Sequence, residues 1–285
     1  MDVVADDQTA RIAICSLQLP GDERIGQEVA QFGAVESVNR WLAGFGPKVI
    51  VQRISDAVLQ IPRVLASAEK CGAKFITPTD ADWPEQLSDL DFAAPIGLWV
   101  TGKVNLADVV QNSISVVGAR AATAYGQRIA SEIGTLAADL DQCVVSGAAF
   151  GIDASAHRGA LAANGQTIAV LACGVDIAYP SAHQGLLERI TASGAVVSEA
   201  PIGAVARKQN FLVRNRIIAA LGRQTVVVEA ALRSGALSTS NWANAIGRQV
   251  WGVPGPITLA SSAGTNQEIF TGNAKLLPNP NLLFR

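Results

Sequence analysis

Short apolar segments alternate with longer helical stretches throughout the second half of the chain. Six of these segments have the length and the content of β-branched residues that are typical of strands covered on both faces. They are Ile114–Val117, Cys143–Val145, Thr167–Leu171, Ala195–Val197, Thr225–Val228 and Gln249–Val253. The alternation predicts βαβ units, and hence an α/β fold with a mainly parallel sheet and helices on both faces. Two further strands are expected upstream, at Ala73–Pro78 and Ile96–Gly102.

The chain before residue 70 has a helical pattern instead. From residue 22 onwards, apolar residues recur at steps of three and four positions. Gly44–Pro47 interrupts this pattern, and a second helix is expected from about Ser55 to Lys70. We therefore expect a small helical domain over residues 1–70 and a larger domain over residues 71–285. The helical domain can pack on its own or against the larger one.

The net charge of −2 conceals an uneven distribution. Residues 1–111 carry 9 Lys or Arg and 15 Asp or Glu, whereas residues 112–285 carry 13 and 9. The second part is therefore mildly basic, and several of its cations are close in sequence. These are Arg207, Lys208, Arg214, Arg216 and Arg223. A small excess of positive charge does not by itself indicate nucleic-acid binding. Whether these cations point to such a function depends on where they lie in the fold.

Cysteine spacing and hydropathy restrict the class of protein further. The four cysteines form no C-x-x-C pair, so neither a zinc site nor a redox dithiol is expected. The sequence begins with no signal peptide, and no apolar run approaches the about 18 residues that a membrane span needs. We therefore expect a cytoplasmic protein that does not associate with a membrane.

The loops that follow the six predicted strands are rich in small residues. They contain Gly118-Ala119-Arg120, Ser146-Gly147, Gly174, Ser198-Glu199, Glu229-Ala230 and Pro254-Gly255. In a parallel sheet these loops meet at one edge, where ligands of open α/β sheets bind. Small residues let a ligand approach the backbone, and free amides at helix N-termini favour anions. A single such loop also needs Gly and Ser for its own turn, so the alternative for each is simple packing.

Known cofactor and catalytic motifs are missing from these loops. The sequence has no G-x-x-x-x-G-K-[ST], and no G-x-G-x-x-G follows the first strand, so no nucleotide cofactor is expected. His157 follows Asp153 by one helical turn, and the two side chains are expected to face each other. Such a pair can serve base chemistry, but we favour a structural pair that holds a helix start. No catalytic residue and no metal site is predicted.

Cations near the predicted edge are the more informative feature. Arg120 is expected at the tip of the first strand, where its planar fork suits phosphate. Lys208, Asn210 and Phe211 place a cation beside an aromatic ring, the combination that single-strand binding uses. Phe211 is equally well explained as a packing residue. Arg214 and Arg216 have another explanation, internal ion pairs with Glu199 or Glu229, so Arg120 and Lys208 are the stronger candidates.

Several short motifs occur in a distinctive order between residues 114 and 256. They are Val117-Gly118-Ala119-Arg120, Ser146–Asp153 with Ala156-His157, Gly174-Val175-Asp176 with Tyr179-Pro180, Ser198-Glu199, Phe211 with Arg214-Asn215-Arg216, Val228-Glu229-Ala230 with Ser234-Gly235, and Val253-Pro254-Gly255. In this order and spacing they resemble the DprA/Smf family of DNA-processing proteins. The resemblance covers about residues 70–277 and implies an extended Rossmann-like domain. More weakly, residues 22–70 resemble the family's sterile-alpha-motif-like or helix-hairpin-helix region.

The resemblance implies a function without catalysis. Members of the family bind and protect single-stranded DNA, load the recombinase RecA onto it, and act in natural transformation and competence. A homodimer through the Rossmann-like domain is implied as well. The winged-helix domain that many members carry is not expected here, since the sequence ends at Arg285.

Site residues follow from the same resemblance. Arg120 and Lys208 resemble the principal backbone-binding cations, and Phe211 resembles a nucleotide-contacting ring. The pocket-lining positions are Gly118, Ala119, Ser146, Gly147 and Gly174, and the flanking candidates are Asn210 and Arg214. Ala119 replaces a hydroxyl residue that is usual in the family, so one phosphate contact is missing. Asp153, His157, Glu199, Arg216 and Glu229 are expected to support the pocket.

Two other functions remain open from the sequence. The first is a nucleotide-processing enzyme of the LOG or lysine-decarboxylase-like type, whose P-G-G-x-G-T-x-x-E loop is matched poorly by Pro254-Gly255, Gly264-Thr265 and Glu268. The second is a scaffold that binds only proteins, in which the crevice holds no ligand.

Overall fold

A computed structural model describes residues 4–284 of the chain, and within them nine strands form one sheet. The strands are β1 (Lys74–Ile76), β2 (Leu98–Gly102), β3 (Ser113–Val117), β4 (Cys143–Ser146), β5 (Thr167–Val170), β6 (Ala195–Ser198), β7 (Gln224–Val227), β8 (Gln249–Gly252) and β9 (Lys275–Leu276). The helices are α1 (Asp7–Ser16), α2 (Glu23–Phe32), α3 (Ala34–Leu42), α4 (Lys48–Cys71), α5 (Leu106–Val109), α6 (Ala124–Asp139), α7 (Ile152–Ala162), α8 (Gln184–Ser193), α9 (Lys208–Leu221), α10 (Ala236–Ala245) and α11 (Ala260–Phe270).

The sheet has the order β1-β2-β6-β5-β4-β3-β7-β8-β9. Neighbours from β6 through β9 are parallel, whereas β1 and β2 pair in antiparallel fashion at one edge. The chain builds outward from β3 through β6 and then returns to place β7 on the other side of β3. This reversal is a topological switch point, where ligands of open α/β sheets bind. The predicted α/β fold is confirmed, and all eight predicted strands are present.

Helices cover both faces of the central strands, which explains why β3 to β6 are buried along their length. α6 and α7 pack on one face, where Ile114 and Val116 of β3 meet Ile133 of α6. α9 and α10 pack on the other face. There the Ser115 hydroxyl donates to the Ile218 carbonyl oxygen at 2.6 Å, so a buried polar side chain of β3 is satisfied by α9.

The helical segment packs against the antiparallel edge of the sheet. Its core contains Val38, Trp41 and Ile54 and continues through Phe75 of β1 and Trp99 of β2. The two aromatic rings of β1 and β2 lie with centroids 4.9 Å apart. The segment therefore shares a core with the sheet, and a domain boundary near residue 70 stays a prediction.

Helix boundaries in this segment differ from those that the sequence predicts. α1 precedes the helical pattern that begins at residue 22, and the Asp6 carboxylate caps it by accepting from the Thr9 amide at 2.8 Å. The first predicted helix is divided at Gly33, whose φ of 79° ends α2 and begins α3. The second begins before Ser55, at Lys48, directly after Pro47.

Arg216 of α9 joins three parts of the fold in the core. Its Nη2 lies 2.6 Å from Glu199 Oε2, just after β6, and its Nε donates to the Ala93 carbonyl oxygen at 2.6 Å. Nη1 donates to the Val213 carbonyl oxygen at 3.1 Å. The side chain is 1% exposed, so the charge is stabilised only by these partners. Of the ion pairs that the sequence left open, the structure forms Arg216 with Glu199.

We expect Arg216→Met to lower the free energy of unfolding by about 3–5 kcal/mol, because it leaves the Glu199 carboxylate buried without its cation. Adding Glu199→Gln to Arg216→Met should recover part of that loss. Urea denaturation measures both. Arg24→Ala, which removes an exposed pair with Asp22, is the control and should leave the stability nearly unchanged. An Arg216→Met protein as stable as the parent would contradict this role.

Candidate functional site

A crevice of about 1040 Å³ opens at the carboxyl edge of the sheet, over the switch point between β3 and β7. The loops after β3, β4, β5, β6 and β7 contribute to its lining, as expected for strands that end at one edge. Val117 and Gly118 lie at the end of β3 on the crevice wall, and Leu232 to Leu237 form the opposite wall after β7. The crevice thus lies at the edge of the sheet where the sequence predicts the site.

The loop that carries Arg120 is held on both sides by backbone contacts. The Ala119 amide donates to the Glu229 carbonyl oxygen at 2.7 Å, and the Ala119 carbonyl accepts from the Ile152 amide at 3.2 Å. The Glu229 carboxylate accepts from the amide of Thr123 at 2.9 Å and from its hydroxyl, at the start of α6. Glu229 therefore supports the pocket, as expected, by fixing the loop that presents Arg120.

Three side chains gather at the mouth of the crevice. The Arg120 guanidinium carbon lies 4.8 Å from the centroid of the Phe211 ring, within the range of a cation–π contact. The Tyr179 ring packs on Phe211 with centroids 5.2 Å apart. Lys208 starts α9 one turn before Phe211 and lines the same crevice. Within residues 4–284, neither Arg120 nor Lys208 makes a salt bridge, so both charges are available to an anion.

A further cation, Arg214, lies on the inner side of α9 and is already bound by carbonyl groups of the protein. Arg214 is 8% exposed, and its Nη1 donates to the carbonyl oxygens of Gly147, at 3.0 Å, and of Val170. Burial lowers the pKa of Arg214 to about 10, while the nearby Asp153 carboxylate raises it. Burial in turn raises the pKa of Asp153, against the opposing effects of Arg214 and of backbone amides. Arg214 therefore belongs to the floor of the crevice, and its predicted DNA contact is revised to a supporting role.

The small residues of the loops are explained largely by packing. A Cβ on Gly147 would lie 2.4 Å from Nη1 of Arg214, and one on Gly118 would lie 2.6 Å from Cγ1 of Ile152. Ser146 is buried and donates to the Val116 carbonyl oxygen at 2.6 Å. Gly174 is enclosed by Asp176 and Pro201. Only Gly118 of these lies on the crevice wall, and the structure gives Ser146, Gly147 and Gly174 packing roles, so their part in ligand binding stays a prediction.

Asn210 points away from the crevice. It lines two small cavities beside Pro20 and Glu199, on the side of α9 that faces the helical segment. An α-helix places residues two positions apart on different faces, so Lys208 and Asn210 do not share a surface. The prediction that Asn210 contacts the ligand is therefore not supported. Arg223 also departs from the expected cluster, because it precedes β7 at the amino edge of the sheet.

Asp153 and His157 do not pair with each other. Asp153 accepts from the amides of Gly147 at 3.2 Å and Ala149 at 3.3 Å, and so holds the turn after β4. His157 Nδ1 lies 2.6 Å from the Thr167 hydroxyl, which itself donates to the Val144 carbonyl oxygen. His157 Nδ1 is therefore the donor. Both residues are structural, as favoured, but through separate partners.

Several lining residues were not predicted as site residues, and Tyr179 and Arg233 are the two whose side chains suit a nucleic acid. Tyr179 follows β5 and precedes a cis peptide bond to Pro180, and Arg233 follows β7. Tyr179 occurs in the Tyr-Pro pair of the family-like motifs, which was the available signal. Arg233 sits in a loop that Asn215 tethers by donating from Nδ2 to the Gly235 carbonyl oxygen at 3.0 Å. No local pattern distinguishes Arg233 from an ordinary solvated arginine.

Comparison with known proteins agrees with the resemblance of the motifs. The family model described as DNA recombination-mediator protein A matches residues 74–284. The chain belongs to the DprA/Smf family. A relative named Putative DNA processing protein DprA from Mycobacterium tuberculosis is 43% identical over 249 residues, which cover 81% of this chain and 63% of that relative. The DNA processing protein DprA of Streptococcus pneumoniae is 37% identical over 198 residues, which cover 70% of this chain and 68% of that protein.

Solved structures of the family have the same fold. DNA processing protein A from Streptococcus pneumoniae superposes with a TM-score of 0.79 at 31% identity, covering 95% of both chains. The protein from Helicobacter pylori superposes with a TM-score of 0.66 at 26% identity, covering 74% of this chain and 94% of that one. The Helicobacter structure concerns that protein's unique mode of binding single-stranded DNA. These matches confirm the Rossmann-like architecture of this DprA/Smf member.

Among the helices of residues 4–284, none is both long and apolar enough to cross a bilayer.

His157 should make the protein sensitive to acid. Burial lowers its pKa to about 3, below the about 6.5 of an unfolded chain, so the unfolded state takes up the proton first. Stability from this residue is complete above pH 6.5 and is lost as the pH falls towards 3. The comparison variant is His157→Asn, which keeps a hydrogen-bond donor to Thr167. Between pH 7 and 4.5 we expect the free energy of unfolding of the parent to fall by about 2–3 kcal/mol more than that of the variant. Urea unfolding over this pH range tests it, and parallel curves would contradict it.

Proposed function

We propose that this protein binds single-stranded DNA in the crevice and holds it through Arg120, Lys208 and Phe211. The observation that carries the proposal is the pair of unpaired, exposed cations beside an aromatic ring at the sheet edge. A guanidinium fork and an ammonium suit successive phosphates, and ring faces suit unstacked bases. Members of the same family support it, because the Helicobacter pylori relative binds single-stranded DNA.

The aromatic lining of the crevice favours a single strand over a duplex. Arg120 and Lys208 line the crevice together with Tyr179 and Phe211. Base faces are accessible in single strands but are stacked within a duplex, so an aromatic site of this kind selects the former.

The wider role proposed for the protein is protection of single-stranded DNA and delivery of RecA to it during natural transformation. The family description, a mediator of DNA recombination, supports this role. The proposed setting is the cytoplasm, and the state of the cysteines is consistent with a reducing compartment. Cys15, Cys71, Cys143 and Cys173 are all free thiols.

The nucleotide-processing alternative is less well supported by the geometry. The amide and carbonyl of Gly255 are already bonded to the Asn266 side chain, at 3.2 and 3.0 Å. Glu268 lines the crevice, but its Oε2 accepts from the Ser240 hydroxyl at 2.7 Å and the residue is largely buried. A phosphate loop and a general base would need these groups to be free. We therefore propose a binding protein without catalysis, and hydrolysis of nucleoside monophosphates would contradict this.

Substituting the two cations should weaken binding without unfolding the protein. A charge-assisted contact contributes roughly 1.5–3 kcal/mol, so Arg120→Ala and Lys208→Ala should each reduce affinity for oligo-dT about tenfold or more. The logarithmic salt slope should become shallower by about 0.7 for each lost phosphate contact. Fluorescence anisotropy at several salt concentrations measures both quantities.

Arg223→Ala is the matched control for these variants, because Arg223 is an exposed arginine at the opposite edge of the sheet. It should leave affinity and salt slope unchanged, and melting temperatures of all three variants should match the parent. Unaltered binding by the Arg120→Ala, Lys208→Ala double variant would refute the assignment. Equal affinity of the parent for blunt duplex and oligo-dT would refute the preference for single strands.

We also propose that the protein is a homodimer. Four large exposed apolar side chains lie between residues 257 and 276, in the part of the chain that flanks β9: Ile257, Leu259, Phe270 and Leu276. Ile257 is 92% and Phe270 86% exposed, which is unusual for a surface that meets only water. A second copy of this chain is the partner that the family resemblance implies.

Sedimentation at micromolar concentration should show a species of twice 29.6 kDa. Phe270→Asp should shift it towards the monomer, because a charge is costly at an apolar interface. Phe45→Asp changes another exposed Phe, in the helical segment, and should leave the dimer intact. A parent protein that sediments only as a monomer would contradict the proposal.

A further inference from the structure

A second groove of about 420 Å³ lies beside the crevice and shares Arg120 with it. The loop after β4 and the start of α7 form one wall, with Phe150 and Arg158. The loop after β3 forms the other, with Arg120 to Ala122. Apart from Arg120, the residues that line this groove take no part in the proposed role of the crevice.

Phe150 presents an aromatic ring at the surface of the groove. Its side chain is 46% exposed, and its ring meets the buried His183 edge to face with centroids 4.6 Å apart. The His183 ring is in turn held by a contact of 2.9 Å between its Nδ1 and the Ala148 carbonyl oxygen. Phe150 is therefore supported on one side and open on another, which suits a partner that stacks on it.

The charge of the groove is uniformly positive. Among the described residues that line it, Arg120 and Arg158 are cations and none is acidic. Arg158 is exposed and makes no salt bridge within residues 4–284. Two free guanidinium groups around an open ring repeat the chemistry of the crevice mouth, where Arg120 lies on Phe211.

The two cavities are joined rigidly through their loops. A Cβ on Gly151 would lie 2.3 Å from the Ala119 carbonyl oxygen and 2.5 Å from that of Arg120, so the loops pack backbone on backbone. Gly151 has a φ of 78°, a conformation that glycine adopts without strain. The loop that bears Phe150 is thus fixed directly against the loop that bears Arg120. Because Arg120 lines both cavities, the groove adjoins the crevice at this residue.

We propose that the groove binds the continuation of the same single strand, with a base stacked on Phe150 and a phosphate on Arg158. This inference rests on the proposed function of the crevice and extends it to nucleotides outside. A polynucleotide is the occupant that fits, because it repeats a phosphate and a base face along its length. Phe150 and Arg158 then determine how much strand one protein covers, and the crevice residues hold its central nucleotides.

Dependence of affinity on oligonucleotide length separates the two sites. We compare oligo-dT of about 4 and about 16 nucleotides, which span the usual site sizes of single-strand-binding folds. Phe150→Ala should reduce the affinity for the longer oligonucleotide roughly tenfold and leave the affinity for the shorter one unchanged, because stacking is lost only outside the crevice. Arg158→Ala should reduce the affinity for the longer oligonucleotide and make the logarithmic salt slope of that binding shallower by about 0.7.

Two further variants distinguish stacking from packing. Phe150→Leu keeps an apolar contact with His183 but loses the ring, so it should bind as poorly as Phe150→Ala. Phe150→Trp should bind the longer oligonucleotide as well as the parent or better. Phe45→Ala and Arg63→Ala change an exposed ring and an exposed cation of the helical segment and should have no effect.

The outcomes are distinct for the two proposals. If the parent binds both oligonucleotides and the Phe150 and Arg158 variants bind the longer one normally, the groove proposal is overturned and the crevice proposal stands. Equal losses for both lengths also overturn the groove proposal, since they indicate a disturbed crevice. If the parent binds neither oligonucleotide, the function proposed for the crevice fails, and the groove proposal fails with it.

Discussion

The position of α9 depends on two arginines whose charges are buried. Arg216 reaches Glu199 and the Ala93 carbonyl, whereas Arg214 reaches the Gly147 and Val170 carbonyls at the ends of neighbouring strands. Buried guanidinium groups tolerate little displacement, because every lost partner leaves a desolvated charge. α9 is therefore fixed both across the carboxyl edge of the sheet and against the preceding segment of the chain.

This constraint determines what the opposite surface of α9 can do. The same helix presents Lys208 and Phe211 at its N-terminal end. The two buried arginines and these two proposed DNA-binding residues therefore belong to one rigid element. A binding group held on a rigid helix loses less conformational entropy when it meets a ligand than one on a mobile loop. The cost is that substitutions at Arg214 or Arg216 would disturb the site without touching any ligand.

Packing between the loops after β3, β4 and β7 fixes the position of Arg120. Glu229 holds the start of α6, and Gly151 allows the loop after β4 to lie on the loop after β3. Arg120 thereby lies between two cavities that each contain an aromatic ring. Small residues at this edge serve these loop contacts first, and Gly118 alone among the predicted small residues also lines the crevice. The site is built from close backbone approach as much as from its cations.

Sequence pattern alone predicted eight strand segments along the chain, a mainly parallel sheet and the position of Arg120 at the end of the first of the six regular strands. Those features depend on hydrophobic period and on the rule that parallel strands end together. Three features became visible in the folded chain alone: Arg216 and not Arg214 pairs with Glu199, Asn210 faces the helical segment, and Tyr179 lines the crevice. These features are contacts between residues distant in sequence, such as Arg216 and Ala93. They depend on interatomic distances of a few ångströms between packed elements, which no local pattern of residue types encodes.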